Sequence, residues 1–219
     1  MKRLPLLSFV TLALLIFLFP VIVGTVVNDS LLKLHLTEDT ALLIVFGVLV
    51  GSMINVPVLR IERDEEVPVD PFAIFGFSGF MQRWQRATII AVNVGGCLIP
   101  SGLAIYELTL LSPEGLKGAG IAAAITTIVC FFIARPVPGI GILIPGLIPP
   151  AVAASSAILV GGAEAAPIAF IAGVAGVLIG ADFFHLPTVA RTHTGLASIG
   201  GAGSFDGIVL SGVIAAYLA

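Results

Sequence analysis

Apolar runs of membrane-spanning length recur along this chain and constrain its fold more than any motif does. Bounded by charge, glycine or proline, they lie at about residues 5 to 27, 40 to 59, 87 to 111, 117 to 134, 140 to 162, 165 to 186 and 199 to 218. A helix needs about 20 apolar residues to cross a bilayer, so 219 residues have room for about seven such helices and none for a separate soluble domain. With 58% hydrophobic and 11% charged residues, the composition departs far from soluble usage, where about a quarter are charged. The expected fold class is all-α: a polytopic transmembrane helix bundle forming a single domain over 1–219. Its first half is 1–111, its linker helix 117–134 and its second half 140–219.

Lys and Arg give the expected orientation, because cytoplasmic loops retain positive charge. With the N-terminus inside, Lys2, Arg3, Arg60, Arg63, Arg83, Arg86, Arg135 and Arg191 are cytoplasmic, and Lys33 and Lys117 are outside. The C-terminus is then outside, and the chain is expected as a multi-pass protein of the cell membrane. Met1-Lys2-Arg3 and the apolar run behind it read as a first span rather than a signal peptide, since the run exceeds the roughly 7 to 15 residues of a signal core. The basic residues sit at helix ends and form no stripe, which excludes a nucleic-acid partner. Cys97 and Cys130 fall inside spans and read as small apolar core residues. The cytoplasmic loop, 60–86, carries FAIFGFSGF, read as an interfacial or re-entrant piece with Trp84 at headgroup level.

Against this background Asp182 and Asp206 stand out, in IAGVAGVLIGADFFHLP and IGGAGSFDGIVLSGVIAAYLA. An ionisable group at membrane depth is costly and marks a functional site by default. At 1.5 Å per residue, Asp182 lies roughly 6 Å and Asp206 roughly 10 Å inside the cytoplasmic helix ends, so the two can meet. His185 is three residues beyond Asp182, on the same face if the helix persists, and His193 lies in the following loop. Three chemistries could use this set. One is a proton or cation relay, or coordination of a transported solute. A second is an aspartyl dyad sharing a proton. The third is a divalent metal on Asp182, His185, His193 and Asp206. Capping of broken helices is the structural alternative. No cofactor is otherwise expected.

Glycines 200, 201, 203 and 207 are too dense for an ordinary helix, each costing about 1 kcal/mol relative to Ala. A discontinuous helix exposing backbone groups near Gly201 and Gly203 is one reading, with a matching break at Gly95-Gly96 and Pro100; close helix packing is the other. Residues 135–150, with five prolines, cannot form a straight helix and could line the same cavity, with Arg135 as a counter-ion or anion contact. Asn93 is an inward candidate because its amide must find a partner, whereas Glu107 and Glu164 read as interfacial. GVLVGSMINVPVLR at 47–60 echoes GVLIGADFFHLPTVAR at 176–191, and 93–108 echoes 198–218. A parallel repeat of three plus one plus three spans would follow.

The run GADFFHLP followed by SIGGAGSFDGIVLSG, with ARPVPGIGILIPGLIPP and NVGGCLIP, resembles an uncharacterised family of archaeal and bacterial multi-span membrane proteins, the domain of unknown function 1614. That resemblance implies membership and no activity. More loosely, Asp182 and Asp206 resemble the layout of presenilin-like and signal-peptide-peptidase-like proteases, with one Asp in each of two successive helices. Here Gly201 to Asp206 carries two extra residues, and no Pro-Ala-Leu element follows. Phe205-Asp206-Gly207 is similar to the Leu-Asp-Gly of site-two metalloproteases, whose His-Glu-x-x-His is absent. The repeat is similar to that of small sugar-transporting seven-helix proteins. The leading expectation is a small-solute or ion transporter whose cytoplasm-facing site uses Asp182, His185, Asp206, Gly201, Gly203, Asn93 and Arg135. Intramembrane aspartyl proteolysis by Asp182 and Asp206 is the alternative, and a metal-dependent or scaffolding membrane protein the second. Expected partners are the lipid bilayer and a small solute, an ion or a membrane peptide, with a homo-oligomer open.

Overall fold

The structure, a computed structural model, describes residues 24–62, 87–137, 141–191, 196–201 and 207–219. Most of the expected first span and most of the 60–86 loop, with Trp84, lie outside these residues, as do His193, Gly203 and Asp206.

The described chain is mostly helical, but a small sheet sits at one end of the helices. In order come α1 (24–32), α2 (Glu38–Gly51), β1 (Asn55–Glu62), β2 (Ala87–Asn93), a π-helical turn (Val94–Leu98) opening into α3 (Ile99–Leu110), and α4 (Pro113–Ile133). Then follow β3 (Arg135–Val137), β4 (Gly141–Leu143), α5 (Ile148–Gly161), a 3-10 turn (Gly162–Glu164), α6 (Ala165–Ala175), a π-helical segment (Gly176–Phe183), α7 (Phe184–Arg191), β5 (Leu196–Ile199) and α8 (Gly207–Leu218). The sheet runs β1-β2-β5, with β1 antiparallel and β5 parallel to β2. β3 and β4 form a separate antiparallel hairpin.

This corrects the all-α expectation and several spans. The run 40–59 is helical only to Gly51; Pro57 would remove a donor inside a helix, and Asn55 to Glu62 instead forms β1, with a register shift between Pro57 and Leu59. The run 87–111 begins as a strand, because Thr88, Ile89, Ile90 and Val92 are β-branched, and becomes helical after Asn93. The span expected at 117–134 is α4, started by Ser112 as N-cap and Pro113. The span at 140–162 is helical only from Ile148.

Among the described residues, two stretches are long and apolar enough to cross a membrane: Pro113–Ile133 and Ile148–Val189. The second is not one rod. Gly162, at φ 53°, breaks it, so that α5 and α6 fold back on each other as a hairpin. α6 is the central helix, buried from Pro167 to Val174 and packed against α3, α4, α5 and α8. Side-chain size is arranged inversely to a soluble bundle. On α4 the inward residues are small (Gly115, Gly118, Ala119, Ala122, Thr126, Cys130), while Ile121, Ile125, Ile128 and Phe132, the last 77% exposed, face out.

Three cross-links gather helix ends at the pole remote from the sheet. Lys33 Nζ donates to the Tyr217 carbonyl at 2.7 Å, His35 meets Glu107, and Ser112 meets Glu164. Lys33 and Lys117 lie at this pole. Arg60, paired in register with Ile89, and Arg135, just past α4, lie at the sheet pole.

Candidate functional site

The sheet pole is organised around Asn93, which is fully buried. Its Nδ2 donates to the Ser52 carbonyl at 2.8 Å and to Asn55 Oδ1 at 3.1 Å, while its Oδ1 accepts from the Gly96 N–H at 2.7 Å. The last contact caps the π-helical turn. Ser198 Oγ donates to Asn55 Oδ1, so one side-chain network ties all three strands together. The Asn93 amide is thus committed to positioning backbone. The expected break at Gly95-Gly96 is present as the strand-to-helix turn. Gly95 abuts the end of α2 at Val48 and Ser52, and Gly96 abuts the carbonyl of Gly200, where β5 turns away at φ +68°. Two interrupted elements, β2 to α3 and β5 toward α8, therefore leave parallel strands side by side and touch at their glycines. Gly201 is exposed beside Ser198.

Asp182 lies half-buried in the π-helical segment. Glycines let that segment approach α4 closely: Gly176 rests on Thr126, and Gly180 on the Thr127 carbonyl and Cys130. Asp182 is near enough to Cys130 to act on it electrostatically, and it is engaged with a partner. His185 Nδ1 is 2.9 Å from the Ala181 carbonyl, and its ring lies 5.2 Å from that of Phe131. A carbonyl only accepts, so Nδ1 carries a proton and Nε2 of the neutral ring is left as an acceptor or ligand atom. Arg135 is exposed at the start of the β3–β4 hairpin, which packs against α7. Asp182, His185 and Arg135 thus belong to one pole, and Asn93 to the sheet beside it. Among the described residues, no group of three or more His, Cys, Asp or Glu could hold a metal. Cys97 and Cys130 are buried thiols and are not joined in a disulfide.

The opposite pole holds a polar group that the sequence reading placed at the interface. Glu107 is fully buried. Its Oε2 lies 2.8 Å from His35 Nδ1 and its Oε1 accepts the His35 N–H at 3.2 Å, while the His35 side chain is 49% exposed. The inward stripe Pro100, Leu103, Ala104, Glu107 on α3 was a signal for this burial; His35, in the α1–α2 turn, offered none. Glu164 is partly exposed and accepts the Ser112 N–H at 2.9 Å and the Ser112 hydroxyl at 2.6 Å, while Ser112 Oγ accepts the Gly115 N–H. These bonds, the hydroxyl's first, hold the Glu164 carboxyl below its ordinary value.

No curated protein and no solved structure matches the chain. The family model described as "Protein of unknown function (DUF1614)" matches residues 49–218, from the end of α2 through α8 and including Asn93, Glu107, Asp182 and Asp206. The chain belongs to that family.

Proposed function

We propose that this is an integral membrane protein that moves a small solute or ion across the bilayer. The observation that carries the reading is the junction at Gly96 and Gly200. There the ends of two parallel strands, β2 and β5, touch backbone to backbone at their glycines, at the pole that also holds a half-buried Asp182 on irregular helix. Non-helical backbone at membrane depth is tolerated where it is covered by protein or lines a wet cavity. In transporters such breaks, at corresponding places in two halves, supply carbonyls and N–H groups to a substrate. The echo between 93–108 and 198–218 is what makes these places correspond. Membrane placement rests on α4, where small residues inside let helices approach and large apolar ones outside suit lipid. Asp182, with His185 Nε2 and Asp206 as its expected companions, supplies the coupling or coordinating charge. The Arg60 and Arg135 pole faces the cytoplasm on this reading.

The test is electrical. Full-length protein in liposomes on a solid-supported membrane is challenged with gradients of H⁺, Na⁺, K⁺ and Mg²⁺ and with a panel of small organic solutes. A substrate-dependent current, lost in Asp182→Asn and Asp206→Asn, supports the reading. Silence across the panel from folded, inserted protein overturns it.

A further inference from the structure

Glu107 is a buried carboxylate near the far end of α3, the helix that continues β2 away from the sheet pole, and nothing in the Asp182 chemistry uses it. Three observations point to what it does. First, both its oxygens face one residue, His35, through the ring Nδ1 and the backbone N–H, while the far side of the ring is open to solvent. An imidazole so placed can take a proton from water at Nε2 and pass the one on Nδ1 to Oε2, leaving a neutral ring and a neutral acid. Second, the helices inward of Glu107 carry two hydroxyls without partners. Ser211 on α8 is 1% exposed, and neither its Oγ nor the buried Oγ of Ser101 on α3 has a hydrogen bond. In the same bundle Thr126 and Ser156 bond back to their own helices, at 2.8 Å and 2.7 Å. Third, each hydroxyl lies the same number of residues inward from the pole that holds Glu107. Ser101 precedes Glu107 by six residues and Ser211 precedes Tyr217 by six, and Glu107 and Tyr217 are held at the same pole by His35 and Lys33. Six residues are about 9 Å along a helix.

We propose that Glu107 and His35 form a proton-exchange site at the pole remote from Asp182, loading from solvent through His35 and delivering inward toward Ser101 and Ser211. It deepens the transport reading and rests on it, supplying the proton that a coupled transporter takes from the opposite side. The charged and titratable groups around the pair are Lys33 beside it, Glu164 from the α5–α6 turn, Tyr106 on its own helix with its hydroxyl 3.5 Å from the His35 carbonyl, Glu38 and Asp39 at the start of α2, and Tyr217 of α8. Glu114 and Lys117 lie on the exposed start of α4 and pair with each other. A fixed tether between the α1–α2 turn and α3 would show the same distances, so the test must read protonation.

Dicyclohexylcarbodiimide partitions into apolar surroundings and modifies a carboxyl in its protonated form. Full-length protein in liposomes is treated with it between about pH 8 and about pH 6, the range in which imidazole loads, and the peptide carrying Glu107 is quantified by mass spectrometry. The expected result is labelling that rises as pH falls and is absent in Glu107→Gln. His35→Asn keeps a side-chain N–H for Oε2 but holds no exchangeable proton. Its labelling at neutral pH should change at least about threefold, because the ring that exchanges a proton with Oε2 is gone, and its pH response should flatten. His35→Gln is the second variant should Asn not fold. An unlabelled Glu107 at every pH, or equal labelling in wild type and the His35 variants, overturns the proposal and leaves a tether. Because no transported substrate enters this measurement, its failure is distinct from silence in the flux experiment.

Discussion

The carbonyl oxygen of Gly200 occupies the space in which any other residue at position 96 would carry its Cβ. Neither backbone can retreat, since Gly96 is held by Asn93 and Gly95 abuts α2. Gly96→Ala is therefore expected to cost about 1 to 3 kcal/mol as an overpacked contact. Gly200→Ala should cost more, because φ +68° adds roughly 1 kcal/mol or more for a residue with a Cβ. Gly102, with nothing near its missing Cβ, is the control and should gain up to about 1 kcal/mol as Ala in a helix. Thermal unfolding of the three detergent-solubilised variants separates these outcomes; a harmless Gly96→Ala would mean that the two backbones do not meet.

Asn93 carries a comparable weight through hydrogen bonds. Asn93→Leu leaves the buried Gly96 N–H without its acceptor and the part-buried Ser52 carbonyl without its donor, while the exposed Asn55 Oδ1 keeps Ser198. With each orphaned group worth about 1 to 3 kcal/mol and some rearrangement allowed, a loss of about 2 to 4 kcal/mol is expected. Asn93→Asp should fall between the two, keeping the acceptor for Gly96 and losing both donated bonds. Equal midpoints for wild type and Asn93→Leu would remove this network from any account of the sheet.

At the other pole, acid should loosen the α4 cap. The hydroxyl of Ser112, then its N–H, and more weakly the nearby His35, favour the charged form of Glu164 and depress its titration below the ordinary 4.5. A group depressed in the fold contributes stability that is fully present above its unfolded value and fades as pH falls through the folded one. The thermal midpoint is thus expected to be indifferent to this group above about pH 5 and to decline below it. In Glu164→Gln that part of the decline should vanish. Ser112→Ala loses the N-cap as well, at about 1 kcal/mol. Calorimetry across the acid range checks the sign; a Glu164→Gln profile parallel to wild type contradicts it.

How much of this was legible in the sequence depends on whether a feature is local. α4 was readable to within a few residues, because one apolar run fills it, although the expected start at 117 missed the local start signal Ser112-Pro113. The strands were not, since NVPVLRIE and ATIIAVN are apolar enough to extend a neighbouring helix, and periodicity cannot separate short buried strands from helix. The pairing that makes them strands reaches β5, about a hundred residues away. The same division runs through the site. Asp182 and the Gly95-Gly96 break announce themselves as anomalies, but not that Gly96 meets Gly200 or that Asp182 sits on π-helix. Glu107 could have been read inward from its stripe with Leu103 and Ala104. His35 could not, because its role exists only where the α1–α2 turn crosses α3.

The two poles make the membrane orientation testable with one helix. α4 has 21 residues, about 31 Å, matching a hydrocarbon core of about 30 Å. Lys117 is exposed near its start and Arg135 is exposed just past its end. Both native thiols are buried, at 5% for Cys97 and 0% for Cys130, so they give an impermeant maleimide no background in the folded protein. Retention of Arg on the cytoplasmic side then predicts that Lys117→Cys is labelled in intact cells, whereas Arg135→Cys is labelled only after the membrane is opened. The reverse pattern would invert the protein and move the Glu107–His35 site to the cytoplasm. Labelling of both from the same side would show that α4 does not cross the bilayer, and the transport reading would fall with it.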